Sequence, residues 1–153
     1  LFSSTNQHGV HSPFVFDFVT KGLYKKKVEN INFDQYKQFK SLSKKKKKIL
    51  SKIITYFKID GIKFNSIELT KTLDKEYNLL YINNLCNFMN TNFSNFNSKN
   101  LILIEDIHQD EKSVEEWQKI IKIKEATVTI DLFHFGILFF RKKQAKEHFK
   151  IRV

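Results

Sequence analysis

Apolar residues follow a helical period in the first part of the chain and a strand-like pattern after Gly61. In the first part they recur every three or four positions, which is the spacing of one face of a helix. This spacing predicts helices over residues 12–24, 34–39 and 43–57. Ser12 before Pro13, and Ser43 before a run of lysines, supply the residues that commonly begin a helix.

Beyond Gly61 the apolar residues form short continuous runs, which are typical of strands buried on both faces of a sheet. These runs predict strands over residues 64–69, 78–82, 101–105, 126–131 and 135–141. The segments between them predict helices over residues 85–96 and 113–123, the second carrying Trp117 as a core residue. Strands that alternate with helices indicate an α/β fold. Too few residues separate the last two strands for a crossover helix, so we expect them to pair antiparallel.

The length of 153 residues fits a single domain. We expect residues 1–59 to form an N-terminal helical part and residues 60–153 the α/β remainder. Cys86 is the only cysteine, so no internal disulfide can form. No apolar run approaches the ~20 residues that span a bilayer, so we expect no membrane segment and a cytoplasmic location.

The formal net charge of +11 suggests nucleic-acid binding, because clustered cations release counterions from a phosphate backbone. However, an AT-rich genome would also produce a chain rich in Lys, Asn, Ile and Phe without any selection for a partner. The lysine run at 44–48 is interpreted as the solvated flank of its helix. No aromatic residues are interleaved with this run, as stacking on single strands would require. Nucleic-acid binding is therefore kept as an alternative and is not favoured.

Residues with catalytic or metal-binding chemistry follow the strand predicted at 101–105. Glu105, Asp106 and His108 lie where ligand sites gather in α/β sheets, at the carboxyl end of a strand. Asp106 and His108 are the catalytic candidates, as a carboxylate and an imidazole that could act as acid and base. Together with Glu105 they could instead hold a divalent metal. The alternative is a polar loop that caps the next helix.

Two histidines, His8 and His11, stand three positions apart just before the first predicted helix. They are candidates for contact with a substrate. A zinc site is not expected, since such sites usually need at least three well-placed ligands. The alternative is that this segment only caps and packs the helix, because Ser12 and Pro13 already suffice to begin it.

Several sequence words carry a resemblance to known proteins. The N-terminal word is HGVHSPFVFD from His8, and the C-terminal words are TVTID from Thr127 and GILFFRK from Gly136. Between them lie EDIH from Glu105 and YINN from Tyr81. These words, in this order, are similar to those of bacterial class I SAM-dependent methyltransferase-like proteins. That family usually has Asp and Gly where this chain has Asn83 and Asn84.

The resemblance implies a Rossmann-like sheet that binds SAM, with Asn83 and Glu105 on the cofactor side and His8 and His11 on the substrate side. The block that would hold the first strand, the glycine loop and the acidic ribose-binding residue is missing near residues 59–63. Moreover, none of the four glycines lies within three positions of another, so no G-x-G word occurs. Backbone that carries a Cβ at each step cannot approach such a cofactor closely.

We therefore expect an incomplete Rossmann-like sheet of the class I methyltransferase type, flanked by helices, with a C-terminal antiparallel strand pair. No cofactor is expected, SAM being implied by the resemblance only. The missing strands would leave a sheet edge for a protein partner or a second copy to cover. Such a protein would be degenerate as an enzyme and act through protein interaction. The alternatives are a residual methyltransferase whose cofactor site a partner completes, a small basic nucleic-acid-binding protein, and a decaying gene product.

Overall fold

The computed structural model describes residues 12–65, 77–83, 85, 88, 93–94 and 96–153. The predictions made for His8, His11 and Cys86 lie outside these residues. The chain forms two compact units that divide between Ile59 and Asp60. None of the helices within the described ranges is long and apolar enough to cross a membrane.

The N-terminal unit is helical, as the period of its apolar residues predicts. It contains α1 (Pro13–Asp17), a π-helical segment (Phe18–Leu23), two 3-10 turns (Phe33–Gln35 and Lys37–Phe39) and α2 (Lys44–Phe57). The predicted caps are confirmed, because the hydroxyl of Ser12 accepts the Val15 N–H and that of Ser43 accepts the Lys46 N–H. The prediction of one helix over 34–39 is wrong, since two separate 3-10 turns occupy that stretch.

Aromatic rings form the core of the N-terminal unit. The ring centroid of Phe18 lies 5.3 Å from that of Tyr56 and 4.8 Å from that of Phe57, both on α2. Gly22 permits this close approach, because a Cβ there would lie 3.1 Å from Tyr56 Cγ. Offset and tilted aromatic pairs at these distances add to the stabilisation gained from burial.

The second unit is an α/β unit in which six strands of the described residues form one mixed sheet, which confirms the α/β part of the predicted fold class. Its elements are β1 (Gly61–Phe64), β2 (Asn78–Ile82), β3 (Asn100–Glu105), α3 (Glu111–Ile121), β4 (Val128–Asp131), β5 (Phe135–Phe139) and β6 (Glu147–Lys150). The strand order is β1-β2-β3-β5-β4-β6. β1, β2 and β3 are parallel, β5 is antiparallel to both β3 and β4, and β6 is parallel to β4. The predicted antiparallel pairing of the last two strands is thus confirmed for β4 and β5.

Helix α3 packs on one face of this sheet through Trp117 and Ile120, which are both fully buried. They join a core that includes Ile104 of β3 and Leu138 of β5. Trp117 lies over Gly136, where an added Cβ would come within 2.5 Å of the indole ring. The prediction of Trp117 as a core residue is therefore confirmed.

Several predicted boundaries differ from the observed ones. The strand predicted at 64–69 begins earlier, at Gly61, and Asn65, with a φ of 50°, follows its last residue; residues 66–69 lie outside the described part. Helix α3 begins at Glu111 rather than near residue 113, because the Asp110 carboxylate caps it by accepting the Ser113 N–H. β6 was not predicted as a strand. Most of the helix predicted over 85–96 falls on residues that the structure does not describe.

Candidate functional site

Polar side chains follow three strands at the side of the sheet where the carboxyl ends of these strands lie, which we call the carboxyl edge. β2, β3 and β4 run in the same direction, so their carboxyl ends meet at this edge. Asn83 follows β2, Glu105 ends β3 and Asp131 ends β4, while Asp106 and His108 lie in the turn after β3. Ligand sites of α/β sheets form at this edge. Four candidate site residues therefore lie at this edge of the sheet, namely Asn83, Glu105, Asp106 and His108.

Asp131 lies at the centre of a polar network at this edge, with only 1% of the residue exposed. Its Oδ2 lies 2.6 Å from His108 Nε2, and its Oδ1 accepts the Phe133 backbone N–H at 2.8 Å. Arg152 Nη1 lies 3.4 Å from Oδ1 and donates to the Asp131 carbonyl oxygen at 3.1 Å. A buried carboxylate requires such partners, because its burial without them is very costly. The network joins the turn after β3, the end of β4 and the C-terminal segment.

His108 is the group of this network with the geometry of an acid–base catalyst. The Asp131 carboxylate holds Nε2, which fixes the ring orientation and leaves Nδ1 as the second ring nitrogen. The His108 side chain is 23% exposed, so solvent or a ligand can reach it. The structure thus pairs His108 with Asp131, a residue that sequence reasoning quoted only as part of a motif.

Phe133 presents an aromatic ring beside this pair in an unusual backbone conformation. Its φ is 72°, in the left-handed region that bulky residues avoid, and the residue is 47% exposed. The ring stacks on the His108 imidazole with centroids 5.2 Å apart and planes 14° apart. The Arg152 guanidinium carbon lies 5.6 Å from the centroid of the same ring. Such strain persists only where the surroundings enforce it, and here the Asp131 carboxylate holds the Phe133 N–H.

Glu105 is held by a buried phenol. Tyr81 of β2 is fully buried, and its hydroxyl donates to Glu105 Oε2 at 2.7 Å. Burial, followed by the hydrogen bond to and the charge of Glu105, raises the pKa of Tyr81 far above its usual range. The phenol is therefore a neutral donor at neutral pH. One oxygen of the Glu105 carboxylate is committed to it.

Asn83 forms a reciprocal amide pair with Asn65, the residue that follows β1. The Asn83 backbone N–H donates to Asn65 Oδ1 at 3.0 Å, and Asn65 Nδ2 donates to Asn83 Oδ1 at 2.7 Å. These two bonds tie the end of β1 to the end of β2. Asn84, the other residue at which this segment departs from the family's usual pattern, lies outside the described residues.

A small pocket of about 150 Å³ opens between these groups and the start of α3. Its polar lining is mainly acidic and includes Glu105, Asp106, Asp110 and Glu116, with Asn83 and Lys112. Hydrogen bonds from Ser113 lower the pKa of the Asp110 carboxyl, so this group stays ionised at neutral pH. The pocket favours cations and hydrogen-bond donors over phosphates.

A second histidine, His148 of β6, is half-buried within the α/β unit. Its Nδ1 lies 2.7 Å from the Thr129 hydroxyl, while Nε2 has no hydrogen-bond partner in the described part of the chain. Burial lowers the pKa of His148, and the nearby Asp131 carboxylate opposes that shift. The folded protein therefore favours the neutral imidazole.

No three His, Cys, Asp or Glu side chains within the described ranges are grouped so that they could hold a metal ion. The candidate metal ligands Glu105, Asp106 and His108 share the sheet edge without forming such a group. His134 lies in the short connection between β4 and β5.

Sequence reasoning missed the roles of Asp131, Arg152, Phe133 and Tyr81 at this edge. The one available signal was the position of Asp131, an acidic residue that ends a predicted strand as Glu105 does. Arg152 and Tyr81 gave none, because their partners lie more than twenty residues away in sequence.

Comparison with known proteins adds no assignment to this geometry. No protein-family model, no curated protein and no solved structure matches the chain.

Proposed function

We propose that this protein is a methyltransferase-like α/β protein that lacks a complete SAM site of its own and acts by binding other proteins. The observation that carries the proposal is the place of the two glycines in the α/β unit. Gly61 begins β1 and Gly136 lies within β5. Neither lies in a loop at the carboxyl edge, where a cofactor would need close approach of the backbone.

Gly136 has a packing role that accounts for its presence. The space that its missing side chain leaves is filled by the Trp117 ring, with 2.5 Å between that ring and an added Cβ. A Cβ added at Gly61, in contrast, would lie 3.6 Å from its nearest neighbour, the Asn78 side chain. A glycine used for packing inside a strand is not available to cradle a ligand.

The polar groups at the carboxyl edge also support the proposal. Asn83 bonds to Asn65, Glu105 to Tyr81, and His108 to Asp131. An adenosyl ligand that used these groups would first have to displace bonds within the protein. The bonds of Glu105 and His108 are part-buried, so displacing them would subtract most from the affinity, whereas the Asn83–Asn65 bond is exposed.

The proposed surface for a protein partner or a second copy is the β1 edge of the sheet. Among the described strands, β1 ends the sheet order on one side, as β6 does on the other, and it is only four residues long. All four of its residues are partly exposed. Sheet edges are common sites of strand pairing between chains.

Isothermal titration calorimetry of the purified chain with SAM tests the proposal. We expect no saturable heat, because no glycine loop or acidic ribose-binding residue is available. Saturable binding with a Kd tighter than about 1 mM, equivalent to ~4 kcal/mol, would overturn it. Binding that appears only when a partner protein is added would instead support the alternative of a shared cofactor site.

A further inference from the structure

The positive charge of the protein is concentrated in its N-terminal helical unit. The first 59 residues contain thirteen lysines and three acidic residues, a net charge of +10. The remaining 94 residues contain fourteen lysines and arginines and thirteen acidic residues, a net charge of +1. A genome-wide base composition acts on the whole gene alike, so it does not explain this asymmetry. A local excess of one charge is instead typical of a surface that attracts a polyanion.

The lysines of this unit line two neighbouring grooves. The larger has a volume of about 630 Å³ and is bordered by Lys44, Lys47 and Lys48 of α2 and by the segment 28–34. The smaller is bordered by Lys21, Lys25, Lys27 and Lys52. Both include Val28 and Glu29, so they lie on either side of the same segment. The larger groove therefore has three lysines and two acidic residues, Glu29 and Asp34, and the smaller has four lysines and Glu29 alone.

Lys44 and Lys48 both border the larger groove and lie one helical turn apart, about 6 Å along α2, a spacing that suits successive phosphates. Lys52, one turn further, borders the smaller groove and donates to the Leu23 carbonyl oxygen at 2.6 Å. Burial, followed by the positive charge of Lys48, lowers the pKa of Lys52. No ion pair joins Lys44, Lys47 or Lys48 to a carboxylate within the described residues. These cations also oppose the helix dipole, so an anion in the groove would relieve an unfavourable interaction.

An aromatic side chain completes the larger groove. Phe33 lines it and is partly exposed, and its ring is supported by Phe39 at a centroid distance of 5.7 Å, edge to face. Sequence reasoning found no aromatic residue within the lysine run, but the fold brings one to it from the preceding segment. A basic groove with a supported aromatic ring suits a single strand, whose bases are free to stack. A membrane surface would instead require a broad apolar face rather than a recessed groove.

We propose that this groove binds single-stranded nucleic acid, with phosphates on the α2 lysines and a base against Phe33. The site lies wholly within the N-terminal unit and makes no use of the carboxyl edge of the sheet. The inference therefore goes beyond the proposed function and stands or falls separately from it.

Fluorescence anisotropy of the full chain with a labelled 20-nucleotide oligo-dU tests this proposal. If about four phosphates are neutralised, the affinity should fall roughly 50-fold between 50 and 200 mM salt. The triple variant Lys44→Glu, Lys47→Glu, Lys48→Glu should bind at least about tenfold more weakly and with a shallower salt dependence. The matched control Lys122→Glu, Lys124→Glu, Lys142→Glu makes the same change of charge in the α/β unit and should bind within about twofold of wild type.

Acidic residues in the first turn of α2 favour the helix dipole, so the triple variant should be at least as stable as wild type. If it does not fold, the corresponding Lys→Gln triple should show the same loss to a smaller degree. Phe33→Leu should weaken binding to oligo-dU about fivefold or more while retaining the apolar contact with Phe39. Equal affinity for a duplex, an equal loss in the control triple, or a flat salt response would overturn the proposal. Binding to vesicles containing phosphatidylserine without binding to oligo-dU would also overturn it.

Discussion

At the scale of single residues, the carboxyl edge of the sheet depends on one buried carboxylate. Asp131 receives hydrogen bonds from an imidazole, a guanidinium and a backbone N–H. It also holds Phe133 in a left-handed conformation that costs about 1–3 kcal/mol. The exposed ring of Phe133 is therefore a consequence of the buried charge beside it.

We expect Asp131→Asn to lower the free energy of unfolding by about 2–4 kcal/mol, because the neutral amide loses the charge-assisted bonds to His108 and Arg152. Denaturant unfolding measures this effect. Asp106→Asn is the matched control, since Asn tolerates the left-handed backbone at Asp106, where φ is 58°. The control should lose less than about 1 kcal/mol. Equal losses in the two variants would show that the Asp131 network is not special.

His148 should make stability depend on pH in the mildly acidic range. Its pKa is lowered in the folded protein from the ordinary value of 6.5. The unfolded chain therefore takes up a proton first as the pH falls. Its contribution to stability is complete above about pH 6.5 and is lost as the pH falls toward the folded pKa.

Unfolding free energies measured between pH 7.5 and 5.5 test this expectation. His148→Gln should flatten the decline, whereas His134→Gln, in the exposed turn, should retain it. A decline of equal steepness in wild type and His148→Gln would show that other groups control this range.

At the scale of elements, continuous apolar runs were enough to locate β2 and β3, and helical spacing was enough to locate α2. β6 was missed because Glu147-His148-Phe149-Lys150 contains one apolar residue in four, and only its pairing with β4 makes it a strand. The predicted start of α3 lies two residues after the observed one, because the capping residue is Asp110 rather than a residue nearer the apolar stripe. The sequence was enough to predict that candidate site residues lie at the carboxyl edge of the sheet. It was not enough to predict the Asp131–His108–Arg152 network, since that network depends on contacts between distant segments.

The packing of α3 on β5 gives an element-scale prediction. Gly136→Ala places a Cβ 2.5 Å from the Trp117 ring, so we expect a loss of about 1–3 kcal/mol or more from overpacking. Gly61→Ala is the matched control, because its Cβ would have 3.6 Å of space. That variant should be neutral or slightly stabilising through a less flexible unfolded chain. Thermal unfolding compares the two variants, and equal melting temperatures would contradict the assigned role of Gly136.

At the scale of the whole molecule, the two units differ in charge and in the chemistry they present. The helical unit carries nearly all the net charge and a lysine-lined groove, whereas the α/β unit carries an acidic pocket at its carboxyl edge. The charge asymmetry can be read from the sequence when the chain is divided at residue 59. The net charge of the whole chain does not show it. The groove itself required the fold, because Phe33 and the α2 lysines come from different segments.

If the carboxyl edge of the sheet binds no SAM unaided, amide NMR spectra of the chain should not change at this edge on titration with SAM. We expect the resonances of Asn83, Glu105 and Asp106 to stay in place up to about 1 mM ligand. Saturable shifts centred on these three residues in the isolated chain would contradict it.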